Sequence, residues 1–239
     1  MVRYPRVIAH RCGGALTPEN TLTGLRVAAR LGCRGVEFDA MLGADGVPVL
    51  MHDETLERTT LARGPVANRV SAELARLDAG ARHHPAFAGE AVPTLAEALR
   101  LCAALDLWAN VEIKPAPGQE RETGRVVARA ARGFDKLVLS SFSMDALCEA
   151  AAAAEELPRA LLVDSLADDW GRMLSEVAAG ALHIAAKSAS ADRLQATLDA
   201  GVPVACYTVN HRDESERLFA MGATAVFTDR PDLWTPSEM

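Results

Sequence analysis

The feature that most restricts the fold is a regular alternation of short apolar, strand-like runs with segments of helical periodicity. The strand-like runs number eight and lie at Val7–Ala9, 35–39, 107–113, 137–140, Arg159–Val163, Ala181–Ala185, 204–208 and Ala225–Thr228. Strands that alternate with helices within one sheet run parallel and connect through right-handed crossovers. Eight such units within 239 residues predict an α/β fold, a (β/α)8 TIM barrel, and leave a doubly wound open sheet as the alternative.

One stretch interrupts the alternation after the second strand. Residues 47–52 are also strand-like and follow the turn-forming pair Asp45-Gly46, so a β-hairpin is predicted over 38–52. This hairpin would bring His52 roughly opposite Phe38. Residues of about 54–92 then form an insertion, which we expect to be a lid-like subdomain, because long loops in compact domains usually bind or cover ligands. The whole chain, 1–239, is otherwise predicted to be a single domain.

Composition and charge disfavour several classes of protein. The net charge of -7 argues against nucleic acid as a partner, because binding a phosphate backbone requires basic patches. No segment reaches about 18 uninterrupted apolar residues, so no membrane span is expected, and the N-terminus shows no secretory signal. The five cysteines are odd in number and lack CxxC spacing, which indicates free thiols in a reducing compartment and predicts a cytoplasmic location.

Candidate site residues come from the predicted carboxyl ends of the strands, where barrels of this kind place their active sites. Glu37 and Asp39 lie two positions apart, so on a strand both side chains point to the same face. Glu112 and Lys114 repeat this spacing on the third predicted strand. Tyr207, near the end of the seventh predicted strand, is a candidate substrate-binding residue.

The three carboxylates Glu37, Asp39 and Glu112 predict a metal site. Acidic side chains held this close repel one another unless a cation lies between them. Their oxygen atoms, in the absence of any thiolate, suit Mg²⁺, Ca²⁺ or Mn²⁺ rather than structural zinc. Such an ion, with open coordination positions, binds phosphate oxygens and stabilises the charge that develops on them. Solvated acids at an exposed strand edge are the alternative interpretation of the Glu37 and Asp39 pair.

Cationic and titratable side chains at the same strand ends predict phosphate chemistry. Arg11 has the forked geometry that binds phosphate, and Lys114 supplies a second positive charge. His10 and His52 are candidates for a general acid and a general base, because an unperturbed imidazole titrates at about pH 6.5. The sequence contains no serine in a nucleophile-elbow motif, so acyl transfer is disfavoured.

Ten short motifs follow one another in a recognisable order. They are His10-Arg11, Pro18-Glu19-Asn20-Thr21, Gly35-x-Glu37-x-Asp39, Asp45-Gly46, His52-Asp53, Arg58-Thr59-Thr60, Pro93-Thr94-Leu95, Glu112-x-Lys114-Pro115, Thr208-Val209-Asn210 and Thr228-Asp229-Arg230-Pro231-Asp232. In this order they resemble the glycerophosphodiester phosphodiesterase family over about residues 6–232. Each motif is weak alone, whereas the ordered set is highly specific.

The resemblance implies a barrel with a small insertion after the second strand, and a divalent metal ion bound by the three carboxylates. It implies that His10 and His52 are the acid–base pair. Arg11 and Lys114 would bind phosphate, and Asn20 would support the site from the loop after the first strand. The implied reaction is hydrolysis of a small-molecule glycerophosphodiester, such as glycerophosphocholine, to sn-glycerol 3-phosphate and an alcohol.

Departures from the family pattern, Cys12 and Tyr207 among them, leave the substrate preference open. Cys12 stands where the family usually has glycine, and Tyr207 where it usually has tryptophan. One alternative is activity of the lysophospholipase D type on lysolipids, which would need an apolar mouth, but loop 80–87 offers only Phe87 as a large apolar residue. The other is a barrel that binds glycerophosphodiesters without cleaving them. Whether the chain forms a homodimer is also left open.

Overall fold

Eight parallel strands close into a barrel at the centre of the computed structural model, which describes residues 2–234 and 236–238. The strands, numbered in chain order, are β1 (Val7–Ala9), β2 (Gly35–Leu42), β3 (Pro48–Leu50), β4 (Trp108–Ile113), β5 (Leu137–Ser141), β6 (Arg159–Val163), β7 (Ala181–Ala185), β8 (Val204–Tyr207) and β9 (Ala225–Thr228). β3 forms a hairpin with β2, and the others pair in the order β1, β2, β4, β5, β6, β7, β8, β9, with β9 returning to β1. The predicted (β/α)8 TIM barrel is therefore confirmed.

Helices connect consecutive barrel strands and cover the outside of the barrel. They are α1 (Leu22–Leu31), α2 (Ser71–Leu74), α3 (Leu95–Ala104), α4 (Glu120–Ala131), α5 (Met144–Ala153), α6 (Trp170–Glu176), α7 (Ala191–Asp199) and α8 (Arg212–Ala220). Except for the short α2, each contributes buried side chains to the main core. In α1, Thr21 accepts a hydrogen bond from the Gly24 N–H at the start, and Gly32 ends the helix at a φ of 95°.

The alternation of side chains along β2 and β4 places apolar residues on the outer face of the barrel and acidic residues on the inner face. On β2, Phe38 packs outwards into the core shared with the helices, so Glu37 and Asp39 point into the barrel. On β4, Val111 packs outwards in the same way and Glu112 points inwards. The parallel register of β2 and β4 pairs Asp39 with Glu112, which brings the acids of two strands to one level of the barrel.

The β2–β3 hairpin forms as predicted. Its antiparallel register pairs Ala40 with Leu50, so continuation by two residues sets His52 opposite Phe38, and the Met51 N–H donates to the Asp39 carbonyl at 3.2 Å. The insertion that follows the second barrel strand contains α2 and has a small core of its own. The core residues are Met41, Val49, Met51, Leu56, Val66, Leu74, Ala79 and Val92. The assignment of 1–239 to a single domain stays a prediction.

Four barrel strands differ from the predicted elements at their ends. β4 begins at Trp108 rather than at residue 107, and β5 ends at Ser141 rather than at residue 140. β2 extends to Leu42 rather than to residue 39, because the hairpin with β3 continues its hydrogen bonding. β8 ends at Tyr207, one residue before the predicted end. All five cysteines are free, as expected. Among the described residues, none of the helices combines the length and apolar character that crossing a bilayer requires.

Helix α3 carries the chain from the insertion back to the barrel, and its start depends on Thr94. Thr94 Oγ1 accepts a hydrogen bond from the Glu97 N–H at 3.3 Å, and the Glu97 carboxylate accepts one from the Thr94 N–H at 2.8 Å. We predict that Thr94→Ala lowers the free energy of unfolding by about 1 kcal/mol, because a capping acceptor is lost. Urea denaturation measures the loss. Thr94→Ser, which keeps the hydroxyl, should stay near wild type, and equal losses in both variants would contradict the capping role.

Candidate active site

Three buried carboxylates form the centre of the site at the carboxyl ends of β2 and β4. Glu37, Asp39 and Glu112 each offer a carboxylate oxygen, and these oxygens all lie within 4.8 Å of one another. The residues are 3%, 1% and 8% exposed. Within the described residues, Glu37 Oε1 is buried without a hydrogen-bond partner. A buried, unpaired carboxylate oxygen in an oxygen-only cluster fits a hard divalent cation.

The electrostatics of the three carboxylates also favour a bound divalent cation. Burial raises the pKa of Glu37 and of Glu112, and the negative charge of Asp39 raises both further. Without a cation, the fold therefore disfavours ionisation of these carboxyl groups. A divalent ion among them would reverse that balance, because it would be the largest local charge. The arrangement is therefore suited to holding a cation rather than to acting as a solvated acidic patch.

Asn20 fixes the orientation of Asp39 from the loop between β1 and α1. Its Nδ2 donates to Asp39 Oδ2 at 2.8 Å, and its Oδ1 accepts from the Asp39 N–H at 3.0 Å. Asn20 has a φ of 57°, a left-handed conformation that asparagine adopts more readily than most residues. The geometry places Asn20 where the sequence analysis expected it, beside the acidic cluster.

His10 is anchored by Asp229 across the closure of the barrel. Its Nδ1 lies 2.7 Å from Asp229 Oδ1, and its Nε2 lies 3.8 Å from Glu37 Oε2. Although burial opposes ionisation of Asp229, its hydrogen bond to His10 holds its pKa below the ordinary value. The ionised carboxylate can only accept, so the His10 proton sits on Nδ1 and Nε2 faces the acidic cluster.

The two histidines have pKa values shifted in opposite directions. Burial lowers the pKa of His10, but the Asp229 hydrogen bond and the charge of Glu37 outweigh burial, so the net pKa is raised. For His52, burial lowers the pKa and prevails over the charge of Asp39 and the hydrogen bond to Asp53. Opposite shifts of this kind suit one proton donor and one proton acceptor.

His52 reaches the cluster through Lys114. Its Nδ1 lies 2.6 Å from Asp53 Oδ1, and its Nε2 lies 2.9 Å from Lys114 Nζ. The Lys114 ammonium is also 3.1 Å from Glu112 Oε1 and 3.6 Å from Asp39 Oδ1. Because an ammonium only donates and a carboxylate only accepts, His52 is held neutral with its proton on Nδ1. The hairpin therefore brings His52 to the side of the cluster that Lys114 occupies.

Arg11 and Arg58 form an ion-pair chain along the mouth of the barrel. The Arg11 N–H donates to Glu37 Oε2 at 2.7 Å, while its guanidinium contacts Glu19 at 3.1 Å and its Nε lies 4.0 Å from Asp39 Oδ2. Arg58 donates to Glu19 at 2.6 and 2.8 Å and to Asp53 at 2.5 and 3.0 Å. The Arg58 guanidinium therefore links Glu19, which binds Arg11, to Asp53, which binds His52.

The remaining two features singled out from the sequence are Tyr207 and Cys12. The Tyr207 hydroxyl donates to the Val163 carbonyl at 2.9 Å, and its ring meets Phe142 edge-on with centroids 5.9 Å apart. Tyr207 therefore presents its ring, with the hydroxyl already engaged. Cys12 is fully buried in the main core, so the side chain that replaces the usual glycine packs away from solvent. Burial raises the pKa of its thiol.

Three contacts of the site were not anticipated from the sequence. Asp229 holds His10, Asp53 holds His52, and Arg58 bridges Asp53 to Glu19. The contact between Asp229 and His10 could have been predicted from barrel closure, because β9 must then lie beside β1, and Thr228 indeed pairs with Ala9. The contact between Asp53 and His52 could have been predicted because the two residues are adjacent in sequence. The third depends on how the insertion folds over the mouth, for which the sequence pattern offers no direct signal.

The anchoring of His10 can be tested in the metal-free protein. We predict that Asp229→Asn lowers the pKa of His10, because the hydrogen bond to the ionised carboxylate favours the imidazolium form. Titration of the histidine ring resonances by NMR measures the shift. His52, anchored by Asp53 instead, should keep its pKa and serves as the internal control. An unchanged or raised pKa of His10 would show that Asp229 does not set it.

Comparison with known proteins gives one consistent family. The chain matches the model of the glycerophosphoryl diester phosphodiesterase family over residues 10–233. It is 32% identical to a glycerophosphodiester phosphodiesterase of Caldanaerobacter subterraneus over 231 residues, 95% of this chain and 94% of the relative. The structure of an Oleispira antarctica phosphodiesterase in complex with the product sn-glycerol-3-phosphate has a TM-score of 0.92 at 34% identity, covering 96% of this chain and 94% of that one. A glycerophosphodiester phosphodiesterase structure from Agrobacterium tumefaciens has a TM-score of 0.78 at 27% identity, covering 96% and 98%. The chain therefore belongs to the glycerophosphoryl diester phosphodiesterase family.

Proposed function

We propose that this protein hydrolyses glycerophosphodiesters to sn-glycerol 3-phosphate and an alcohol, with a divalent metal ion held by Glu37, Asp39 and Glu112. The observation that carries the proposal is the buried carboxylate cluster with His10 and His52 beside it. Membership of the family and the product bound in the Oleispira relative support the substrate class. The small-molecule substrate would enter at the carboxyl ends of the barrel strands.

The ligand set fits more than one metal ion. Mg²⁺, Ca²⁺ and Mn²⁺ all accept carboxylate oxygens, and the separation of the cluster oxygens suits any of them. An ion bound there would neutralise charge that develops on the phosphoryl oxygens. Asn20 supports this arrangement because it holds one oxygen of Asp39 through a hydrogen bond and leaves the other turned towards Lys114.

The positions of the cationic side chains support phosphate binding. Arg11 and Lys114 flank the cluster, and each is within 4.0 Å of an Asp39 oxygen. A substrate phosphate entering between them would meet a guanidinium fork and an ammonium group. Tyr207 would border the substrate with its ring, since its hydroxyl is already bonded to the Val163 carbonyl.

His10 and His52 would move the protons of the reaction. In each ring Nδ1 is anchored by a carboxylate, which leaves Nε2 as the atom that faces the cluster or Lys114. Anchoring fixes the tautomer and the ring plane, so proton transfer starts from a defined atom. The opposite pKa shifts of the two rings fit a donor and an acceptor working as a pair.

Other parts of the interpretation remain predictions. They are the cytoplasmic location and the single domain over 1–239 with about 54–92 as its inserted subdomain, and the formation of a homodimer stays open. The two functional alternatives, activity on lysolipids and binding without turnover, are decided by the assay that tests the main proposal.

The first experiment measures release of sn-glycerol 3-phosphate from glycerophosphocholine with Mg²⁺, Ca²⁺ or Mn²⁺. We expect turnover that a chelator abolishes and added ion restores. Glu37→Gln, which keeps the shape of the side chain but removes its charge, should lose turnover and weaken metal binding measured by calorimetry. Faster cleavage of a micellar lysolipid would favour the lysolipid alternative, and ligand binding without cleavage would favour the non-catalytic barrel.

The roles of the histidines are tested by His10→Ala and His52→Ala. We predict that each lowers kcat by about 10²–10⁴-fold, the usual contribution of general acid or base catalysis. The fold should survive, because both rings lie at the mouth of the barrel and are partly exposed. His84→Ala, in the insertion and outside the cluster, is the matched control. Near-wild-type hydrolysis by the double variant would refute the mechanism.

A further inference from the structure

We propose that the site has a separate alcohol subsite, formed around Glu54 and Phe142, which favours substrates whose alcohol carries a positive charge, such as an amino alcohol of the choline type. The proposal rests on the proposed function, since it concerns the part of the glycerophosphodiester beyond the phosphate. It specifies a substrate preference that the three carboxylates and two histidines leave undetermined.

Two cavities lie at the mouth of the barrel, and they share no lining residue. The larger, of about 540 Å³, reaches Glu112, Lys114 and His52. The smaller, of about 290 Å³, reaches Arg11 and Asp229. A phosphodiester has two arms that leave the phosphorus in different directions, so a phosphate held between Arg11 and Lys114 would extend one arm into each cavity.

The two cavities differ in charge. The larger is lined by the carboxylates of Asp53, Glu54 and Glu112 against the single ammonium of Lys114. The smaller is lined by three guanidinium groups against two carboxylates. These groups are Arg11, Arg58, Arg82, Glu19 and Asp229. Because Asp53 is paired with Arg58 and Glu112 would be neutralised by the metal ion, Glu54 is the carboxylate that would attract a cationic arm to the larger cavity. The arginines would repel such an arm from the smaller cavity, whose polar groups can bond to the hydroxyls of glycerol.

Phe142 gives the larger cavity an aromatic wall. It is 45% exposed, although it is a large apolar residue, and it follows β5 directly. Tyr207 supports its ring edge-on, and Ser141 fixes the loop because its hydroxyl donates to the Ile113 carbonyl and accepts from the Ser143 N–H. An ammonium group over an aromatic face is attracted by the ring, and a quaternary ammonium has no N–H through which hydrogen bonds could select it.

Glu54 supplies the carboxylate that complements this wall. Asp53 is bonded to His52 and Arg58, and Glu112 is bonded to Lys114 and belongs to the metal cluster. Glu54 lies at the exposed rim of the same cavity, and its backbone is fixed because its carbonyl accepts from the Val66 N–H at 2.9 Å. Glu54 and Phe142 line the same cavity, and a carboxylate together with an aromatic ring around one cavity can hold a cation with an apolar surface.

The test compares kcat/KM for glycerophosphocholine with kcat/KM for its uncharged tert-butyl analogue, which has the same shape. Wild type should favour the charged substrate. Phe142→Leu should lower the ratio of the two values about two- to fivefold, the range expected for a partly exposed cation–aromatic contact. Glu54→Gln should lower it in the same direction. Phe87→Leu makes the same chemical change in the insertion, beyond the larger cavity, and should leave the ratio unchanged.

The outcomes distinguish a failure of the subsite proposal from a failure of the proposed function. The uncharged analogue reports on folding, on catalysis and on apolar contacts with the cavity wall, so any loss that these cause in the two subsite variants cancels from the ratio. Cleavage of both substrates with an unchanged ratio in Phe142→Leu and Glu54→Gln, or a wild-type ratio at or below one, would overturn the subsite while leaving the hydrolase intact. Failure of wild type to cleave either substrate would overturn the proposed function and the subsite with it.

Discussion

The rest of the site is arranged around three buried carboxylates that repel one another. Their oxygens lie within 4.8 Å of one another, and burial together with neighbouring charge raises the pKa of Glu37 and of Glu112. The fold tolerates this arrangement by surrounding it with donors, among them Asn20, the Arg11 N–H and Lys114. Those donors only partly compensate, because one oxygen of Glu37 is left without a partner among the described residues. A cation bound to this unpaired oxygen would complete the compensation of the negative charge.

Distant parts of the chain meet around these carboxylates at the mouth of the barrel. Closure of β9 onto β1 delivers Asp229 to His10, and the β2–β3 hairpin delivers His52. Arg58 then joins Glu19 to Asp53, so the insertion is tied both to the loop after β1 and to the end of the hairpin. An exposed ion pair alone contributes little, but a guanidinium with four hydrogen bonds to two carboxylates restricts geometry as well as adding energy. The positions of Arg11 and His52 are coupled through it.

Much of this arrangement could be predicted because strands impose a period of two. Glu37 and Asp39 had to share a face, and the Asp45-Gly46 turn set the register that returns His52. Contacts between loops could not be obtained in this way. The bridge from Arg58 to Glu19, the engagement of the Tyr207 hydroxyl by Val163 and the exposure of Phe142 depend on loop conformations that no local pattern determines. The roles assigned to the site residues remain predictions, whereas the barrel that positions them is confirmed.

Strands and the hairpin hold the residues proposed for catalysis, whereas loops hold the residues proposed to select the alcohol. The carboxylate cluster and both histidines are held by barrel strands, by the hairpin and by barrel closure, where a shift of one residue would move every side chain to the other face. Glu54 and Phe142 lie just beyond these elements, in the insertion and in the loop after β5. Their side chains can be replaced without altering the register that sets Glu37, Asp39 and Glu112. The proposed alcohol subsite is therefore structurally separate from the residues proposed to bind the phosphate, which would let head-group preference vary on a fixed catalytic frame.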